Sequence, residues 1–292
     1  MSSAASITRR RARVQSGAPG CIAVERRAHG TPAAGHATTA GSSSGQPREA
    51  PMPHLDVSRA GRVLVLTLDR PQEGNRVSRQ MAEEATAALE AARRDPGIGA
   101  CVLTGRGEVF CLGGDYQGAG PTSAGRLEFA RAFADMALAM ARLGKPLVAA
   151  VNGDAHAGGF SLVAGCDLAV AAEDATLGLP EAAKGLFPFL ALAIVRDALP
   201  KKVLFDIVYS ARLMSAAEAR ALHLLNETVP RVLVLERALE WAKRAAAHDA
   251  DILMLGRDLY YAMRGLSPAE ALEKSRFALA AALAAQDQGR PR

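Results

Sequence analysis

The stretch from Leu147 to Val170, LVAAVNGDAHAGGFSLVAGCDLAV, constrains this chain more than any other. Leu147–Val151 is a short apolar run of β-forming residues bounded by turn formers, the pattern of a buried strand. Asn152-Gly153 breaks it, and from Gly158 onward Phe160, Leu162, Val163 and Cys166 fall at helical spacing. Gly158-Gly159 therefore sits where a strand hands over to a helix. The first amides of a helix have no partners inside it and carry the positive end of its dipole. Glycine lets a foreign oxygen approach that backbone without a Cβ in the way. Such a turn suits an oxygen that gains negative charge during a reaction. It equally suits tight packing, and the pair of glycines alone does not separate the two.

Around this stretch, strands and helices alternate. Arg62–Leu68 alternates as a strand, and Ser78 can cap a helix running to about Arg94. Ile98–Thr104 reads as a second strand. A turn-rich loop, Gly105–Gly120, then leads to a helix over about Ser123–Leu143, with Leu127, Ala130, Phe133, Met136 and Met140 on its apolar face. Asp167–Ala171 and Thr176–Leu179 read as two further short strands. Beyond Gly185 the chain is mainly helical, with capping boxes at Ser215–Glu218 and Ser267–Glu270. The order argues for an α/β core over 54–250 and a helical C-terminal segment over 251–292.

Charge excludes one class of function for the body. Residues 1–50 hold seven arginines against two acids, whereas the other 242 residues carry 28 basic and 28 acidic side chains. The net charge of +5 thus belongs to a Ser/Gly/Ala-rich tail, 1–53, with the composition of a disordered segment. That charge gives no reason to propose nucleic-acid binding by the folded body. The Arg-rich start ITRRRARVQ has the make-up of an organellar transit peptide, and also of a plain flexible tail or an over-extended start. No apolar run approaches the roughly 20 residues of a membrane span. Cys21, Cys101, Cys111 and Cys166 form no metal-ligand spacing and suit a reducing compartment.

A second glycine pair, Gly113-Gly114, follows the strand at Ile98–Thr104. Ligand sites in α/β sheets form where strands end and loops converge. Two amides, one from each glycine turn, could clamp one oxygen, the minimum equipment for holding an enolate or a tetrahedral oxyanion. Asp154 and His156 precede the second turn, and His can do acid–base work near neutral pH. A loop aspartate and a hydrogen-bonded histidine behind the turn would look the same. Asp115 reads as a loop-fixing residue, and Cys111 and Cys166 as core thiols.

Taken together, Asp69-Arg70-Pro71 with Asn75, VLTGRGEVFCLGGD (102–115), KPLVAAVNG (145–153), CDLAVA (166–171), GLPEAAKGLFP (178–188) and SARLMSAAEARALHLLNETVP (210–230) resemble the crotonase (enoyl-CoA hydratase/isomerase) superfamily over about 55–287. The resemblance implies a spiral of ββα units with a helical C-terminal oligomerisation region, and assembly as a homotrimer or a dimer of trimers. It implies an acyl-CoA thioester substrate, coenzyme A being part of that substrate, with no metal or redox cofactor. The oxyanion donors fall on Gly114 and Gly158. Tyr116 and Gln117 would line the acyl or pantetheine path, and Arg76-Val77 would run beside the CoA adenine.

Of the two glutamates in the family's hydratases, the second matches Glu181, while the first position holds Ser161. A single carboxylate resembles the family's isomerases. Ser161 can hold a water but titrates too high to act as a base. Family members also run on into an ending whose Phe and Lys reach CoA, where this chain reads Gly289-Arg290-Pro291-Arg292. The expectation is an enoyl-CoA hydratase or isomerase with Glu181 as the proton-transfer residue, in the cytoplasm or, given a transit peptide, an organellar matrix. Two alternatives stay open: a catalytically silent scaffold of the same fold, and a divergent member doing decarboxylation or C–C hydrolysis aided by His156.

Overall fold

The computed structural model describes residues 52–287. The tail over 1–51, with Cys21 and the targeting question, and the terminal residues 288–292 lie outside them. The chain runs β1 (Leu55–Ala60), β2 (Val63–Leu68), α1 (Arg79–Arg94), β3 (Ala100–Gly105), α2 (Ser123–Ala141), β4 (Leu147–Val151), β5 (Ala155–His156), α3 (Gly158–Gly165), β6 (Leu168–Ala172) and β7 (Thr176–Gly178). It continues through α4 (Phe189–Val195), α5 (Lys201–Ser210), β8 (Leu213–Ser215), α6 (Ala216–Ala221), β9 (Glu227–Val229), α7 (Val234–Ala246), α8 (Ala250–Ala262) and α9 (Pro268–Asp287).

Six strands form one sheet in the order β1-β2-β3-β4-β6-β9, parallel except for the antiparallel edge pair β1–β2. β5, β7 and β8 form a second, smaller sheet. Alternation along the central strands sorts side chains onto two faces. Leu66, Cys101, Leu103, Leu147 and Ala149 pack on the side holding α1, α2 and α3. Val63, Val65, Val102, Val148 and Val170 face the stripe Ala238, Ala242 and Ala246 of α7. Small residues every fourth position let α7 lie close to the sheet.

Several helix ends follow from the sequence. Ser78 accepts from the Met81 amide and Ser215 from the Glu218 amide, and Ser267 closes its capping box with Glu270. One strand was not read from the sequence, and one expectation needs correction. β1 lies in a stretch without a clear strand signal, because as an edge strand it buries Leu55 alone. Leu127 does not share the apolar face of α2: it is 72% exposed, and Phe129, Phe133, Met136 and Met140 do the packing.

α8 is pinned to the body. The Arg257 guanidinium pairs with Asp167 and donates to the Met140 and Ala141 carbonyls, and Arg93 grips Asp258 through both nitrogens. α9 meets the rest chiefly through α8, and its Leu272, Phe277, Leu279 and Leu283 remain exposed.

Candidate active site

The two glycine turns meet. The chain at Cys111–Asp115 is stitched on one side to 74–77 and on the other to 154–156. The Leu112 amide donates to Gly74, the Val77 amide to Gly113, and the Asp115 amide back to Val77, at 2.8–2.9 Å. Across the loop, the Cys111 amide donates to Asp154 and the His156 amide to Cys111. Asn75, fully buried, ties this frame to the next loop: its side-chain nitrogen donates to the Arg106 and Val109 carbonyls and its oxygen accepts from the Arg70 amide.

This stitching brings Gly114 beside the first turn of α3. A Cβ placed on Gly158 would lie 3.4 Å from the Gly114 nitrogen, and one on Gly113 would lie 3.6 Å from the Gly158 nitrogen. Both amides therefore border one small space. Among the described residues neither N–H donates to a protein acceptor. Gly158 opens α3, so the helix dipole adds positive potential there. Gly113 takes φ +110°, in the region that favours glycine.

Ala157, between the turns, has φ 53° and ψ −120°, a conformation costly for any residue with a Cβ. Its amide is held by the Gly178 carbonyl at 2.8 Å, which fixes the entry to α3. Ala157→Gly is expected to relieve this strain. It should raise stability by about 1 kcal/mol, or roughly 2–4 °C in melting midpoint, with the site unchanged. A thermal melt of the two proteins checks it, and an unchanged or lower midpoint would remove the strain.

Glu181 stands in the single-turn helix Pro180–Lys184 and is 6% exposed. Its Oε2 is buried with no hydrogen-bond partner among the described residues. Burial pushes its pKa up, opposed by its own backbone amide and by the charge of Lys184. A buried carboxylate oxygen without a donor is poorly solvated as an anion, which makes it a stronger base once ionised. It faces a cavity of about 20 Å³ whose walls include Gly158, Tyr116, Phe129, Phe133 and Leu190. That is room for about one water molecule.

The other expected residues divide. Tyr116 reaches this cavity, its half-exposed ring edge-on to Phe129 at 5.3 Å. Gln117 is exposed on the neighbouring loop. Arg76 donates to the Leu112 carbonyl and so clamps the glycine loop, while Val77 is fully buried with both backbone groups engaged by that loop. Ser161 is fully buried, and its hydroxyl turns back to the Gly158 carbonyl at 2.7 Å. It is not among the residues lining the cavity.

His156 is held behind the turn. Thr176 donates its hydroxyl hydrogen to Asp154 at 2.7 Å, so its oxygen accepts from His156 Nε2 at 2.8 Å. Burial, the largest cause, holds the His156 pKa below its ordinary value, and the imidazole is neutral near pH 7. Asp115 pairs with Arg70 at 3.0 Å and accepts from the Gly118 amide, as a loop-fixing residue would. Burial pushes the thiols of Cys111 up to about 11 and Cys101 up to about 12, which leaves both protonated and unreactive. Phe129, Phe133 and Leu190 also wall the cavity. Their sequence signal is an ordinary apolar helix face, which does not distinguish a cavity wall from a core.

A parallel sheet with ββα crossovers and two amide-bearing glycine turns defines the crotonase fold class. The enoyl-CoA hydratase/isomerase family model matches residues 58–284. The chain is 35% identical over 202 residues to enoyl-CoA hydratase EchA19 of Mycobacterium tuberculosis, covering 67% of this chain and 76% of that one. It is 35% identical over 201 residues to the 2,3-dehydroadipyl-CoA hydratase of Escherichia coli, covering 68% and 78%. The crystal structure of an enoyl-CoA hydratase from Mycobacterium smegmatis superposes with a TM-score of 0.75 at 28% identity, over 82% of this chain and 98% of that one. The chain belongs to the enoyl-CoA hydratase/isomerase family, and it is an enzyme of that family.

Proposed function

We propose that this enzyme moves a proton on the carbon next to the carbonyl of an enoyl-CoA thioester, through an enolate. Glu181 is the base, and the Gly114 and Gly158 amides hold the enolate oxygen. The observation that carries this reading is the unpartnered, buried Oε2 of Glu181 on a cavity walled by Gly158. Removing a proton alpha to a thioester is feasible for a carboxylate only when the oxyanion is stabilised as it forms. One carboxylate can then return the proton to another carbon of the same substrate, which shifts the double bond.

Hydration is the second reading. The names of the relatives favour it, as does room for one water beside Glu181. It asks for a second group to protonate carbon, and Ser161, where the hydratases' other glutamate would stand, has its hydroxyl directed at Gly158.

Incubation with 2-enoyl- and 3-enoyl-CoA in heavy water separates the two by mass. A shifted double bond with deuterium incorporated and no added water is the expected result. A product heavier by one water makes the enzyme a hydratase. Turnover of neither panel would overturn the reading.

Coenzyme A belongs to the substrate here, and no step asks for a metal or redox cofactor. Tyr116 and Gln117 flank the acyl or pantetheine path, and the loop held by Arg76 and Val77 carries the CoA side of the site. His156 takes part by fixing the turn rather than by proton transfer. The exposed apolar residues of α9 support assembly as a trimer or a dimer of trimers. The compartment is the cytoplasm, or an organellar matrix if the Arg-rich tail directs import.

A further inference from the structure

A double-bond shift takes a proton from one carbon and places one on another. Glu181 accounts for the removal, and the cavity it faces holds the candidates for the return. Among the described residues that wall it, Glu181 and Tyr116 alone carry a group that can give up a proton. The other walls are Gly158 and apolar side chains such as Phe129, Phe133 and Leu190. Ser161 bonds its own helix and His156 bonds Thr176, and neither is a wall. Packing aims Tyr116. Its ring stands edge-on to Phe129, with 5.3 Å between centroids and 70° between planes. A Cβ placed on Gly114 would lie 3.3 Å from Tyr116 Cζ, the carbon bearing the hydroxyl. The phenol end therefore sits beside one of the two oxyanion amides. The residue is 52% exposed, so its hydroxyl proton exchanges with solvent.

We propose that Tyr116 is the second catalytic residue, whose phenol gives the substrate's γ carbon the proton that completes the double-bond shift. The proposal rests on the enolate reading above and adds its proton donor. Glu181 takes the α proton of a 3-enoyl thioester, and the electron pair of that C–H bond enters a conjugated enolate held by Gly114 and Gly158. The γ carbon then forms a C–H bond with the phenol's proton. The O–H bond breaks, and its electron pair stays on oxygen as phenolate. One proton passes from Glu181 to the phenolate as product leaves, which restores both groups with nothing oxidised or reduced. Burial, and after it the charge of Glu181, hold the phenol above its ordinary pKa, so it is protonated near pH 7 and able to donate. The second cause lapses once Glu181 has taken its proton. Tyr116 thus becomes the better acid at the step that uses it.

Tyr116→Phe tests this on the full chain, because it keeps the ring against Phe129 and removes only the hydroxyl. With 3-enoyl-CoA in heavy water, mass and label position separate two rates. Deuterium washed into recovered 3-enoyl-CoA needs removal alone, whereas the 2-enoyl product needs the return as well. The shift is expected to fall about 10²-fold in the variant, while wash-in keeps at least about a third of its native rate. A residue that merely shaped the site would lower both together. Native shifting by the variant overturns the proposal, as does an equal loss of both rates. A second measurement needs no variant. In a single turnover of the native protein in ordinary water, 3-enoyl-CoA deuterated at its α carbon should give a product with no label on the γ carbon. Label carried from α to γ would show one carboxylate making both transfers, and would overturn the proposal. A native protein that does not shift 3-enoyl-CoA removes the enolate reading and this proposal with it, whereas a failure confined to the variant removes Tyr116 alone.

Discussion

Glu181→Gln is expected to lower kcat for proton transfer on an enoyl-CoA thioester by about 10²–10⁴-fold while leaving the fold intact. The amide has the shape of the carboxylate, but no basic oxygen that can take up a proton at neutral pH. The native pH–rate profile should show a rising limb above the ordinary glutamate range, because burial raises the Glu181 pKa and the base acts only when ionised. The same shift fixes a sign for stability. A carboxyl whose folded pKa lies above its unfolded one favours folding most at pH below the unfolded value. That contribution is lost as pH rises through the folded pKa. The variant carries no such loss, so its melting midpoint should gain on the native one from pH 4 towards pH 8. Single-turnover deuterium exchange and melts at both pH values read the two effects together. Native kcat in the variant would take Glu181 out of the chemistry. A variant midpoint that holds level with the native one, or falls behind it, as pH rises would contradict its burial as a neutral acid.

The pairing of lost turnover with gained stability separates a site residue from a core residue, and sequence patterns reach only part of that distinction. The buried strand Leu147–Val151, the Ser78 and Ser215 caps and the two glycine turns themselves were legible, because each depends on local periodicity or turn chemistry. That the turns meet depends on the long-range bonds between Cys111 and 154–156. Edge strand Leu55–Ala60 was not, since a strand that buries little of itself lacks an alternating apolar signal. Nor could a pattern show that Ser161 bonds its own helix, or that His156 and Asp154 meet through Thr176, twenty or more residues away. Those partners come from β5 lying against β7 in the small sheet, a long-range pairing. Glu181 was picked out by the resemblance of Leu179-Pro180-Glu181 to the family's pattern, but its unpartnered oxygen is a property of packing alone.

Gly159→Ala should be the most damaging single-atom addition at the site, and through backbone rather than chemistry. A Cβ on Gly159 would stand 2.0 Å from the Cys111 carbonyl oxygen and 2.8 Å from its carbon, far inside contact distance. That carbonyl has little freedom to retreat. It accepts from the His156 amide at 2.9 Å, and the Cys111 amide donates to Asp154 at 3.1 Å. Relief must come from parting the Cys111–Asp115 loop from α3, the two elements that set the Gly114 and Gly158 amides side by side. The expected cost is about 3 kcal/mol, seen as a midpoint lower by roughly 6–12 °C. Below that midpoint kcat should still fall about 10²-fold, since displacing one donor by an ångström loses its hold on the oxyanion. Gly158→Ala supplies the contrast. Its Cβ would meet the Phe133 ring at 3.1 Å, a side chain that can turn aside, so stability should suffer less. The methyl would nevertheless sit 3.4 Å from the Gly114 nitrogen, in the space the oxyanion needs, and activity should fall as far. A Gly159→Ala protein that melts with the native one would show that the loop and α3 separate freely. The clamp on the oxyanion would then have no rigid frame behind it.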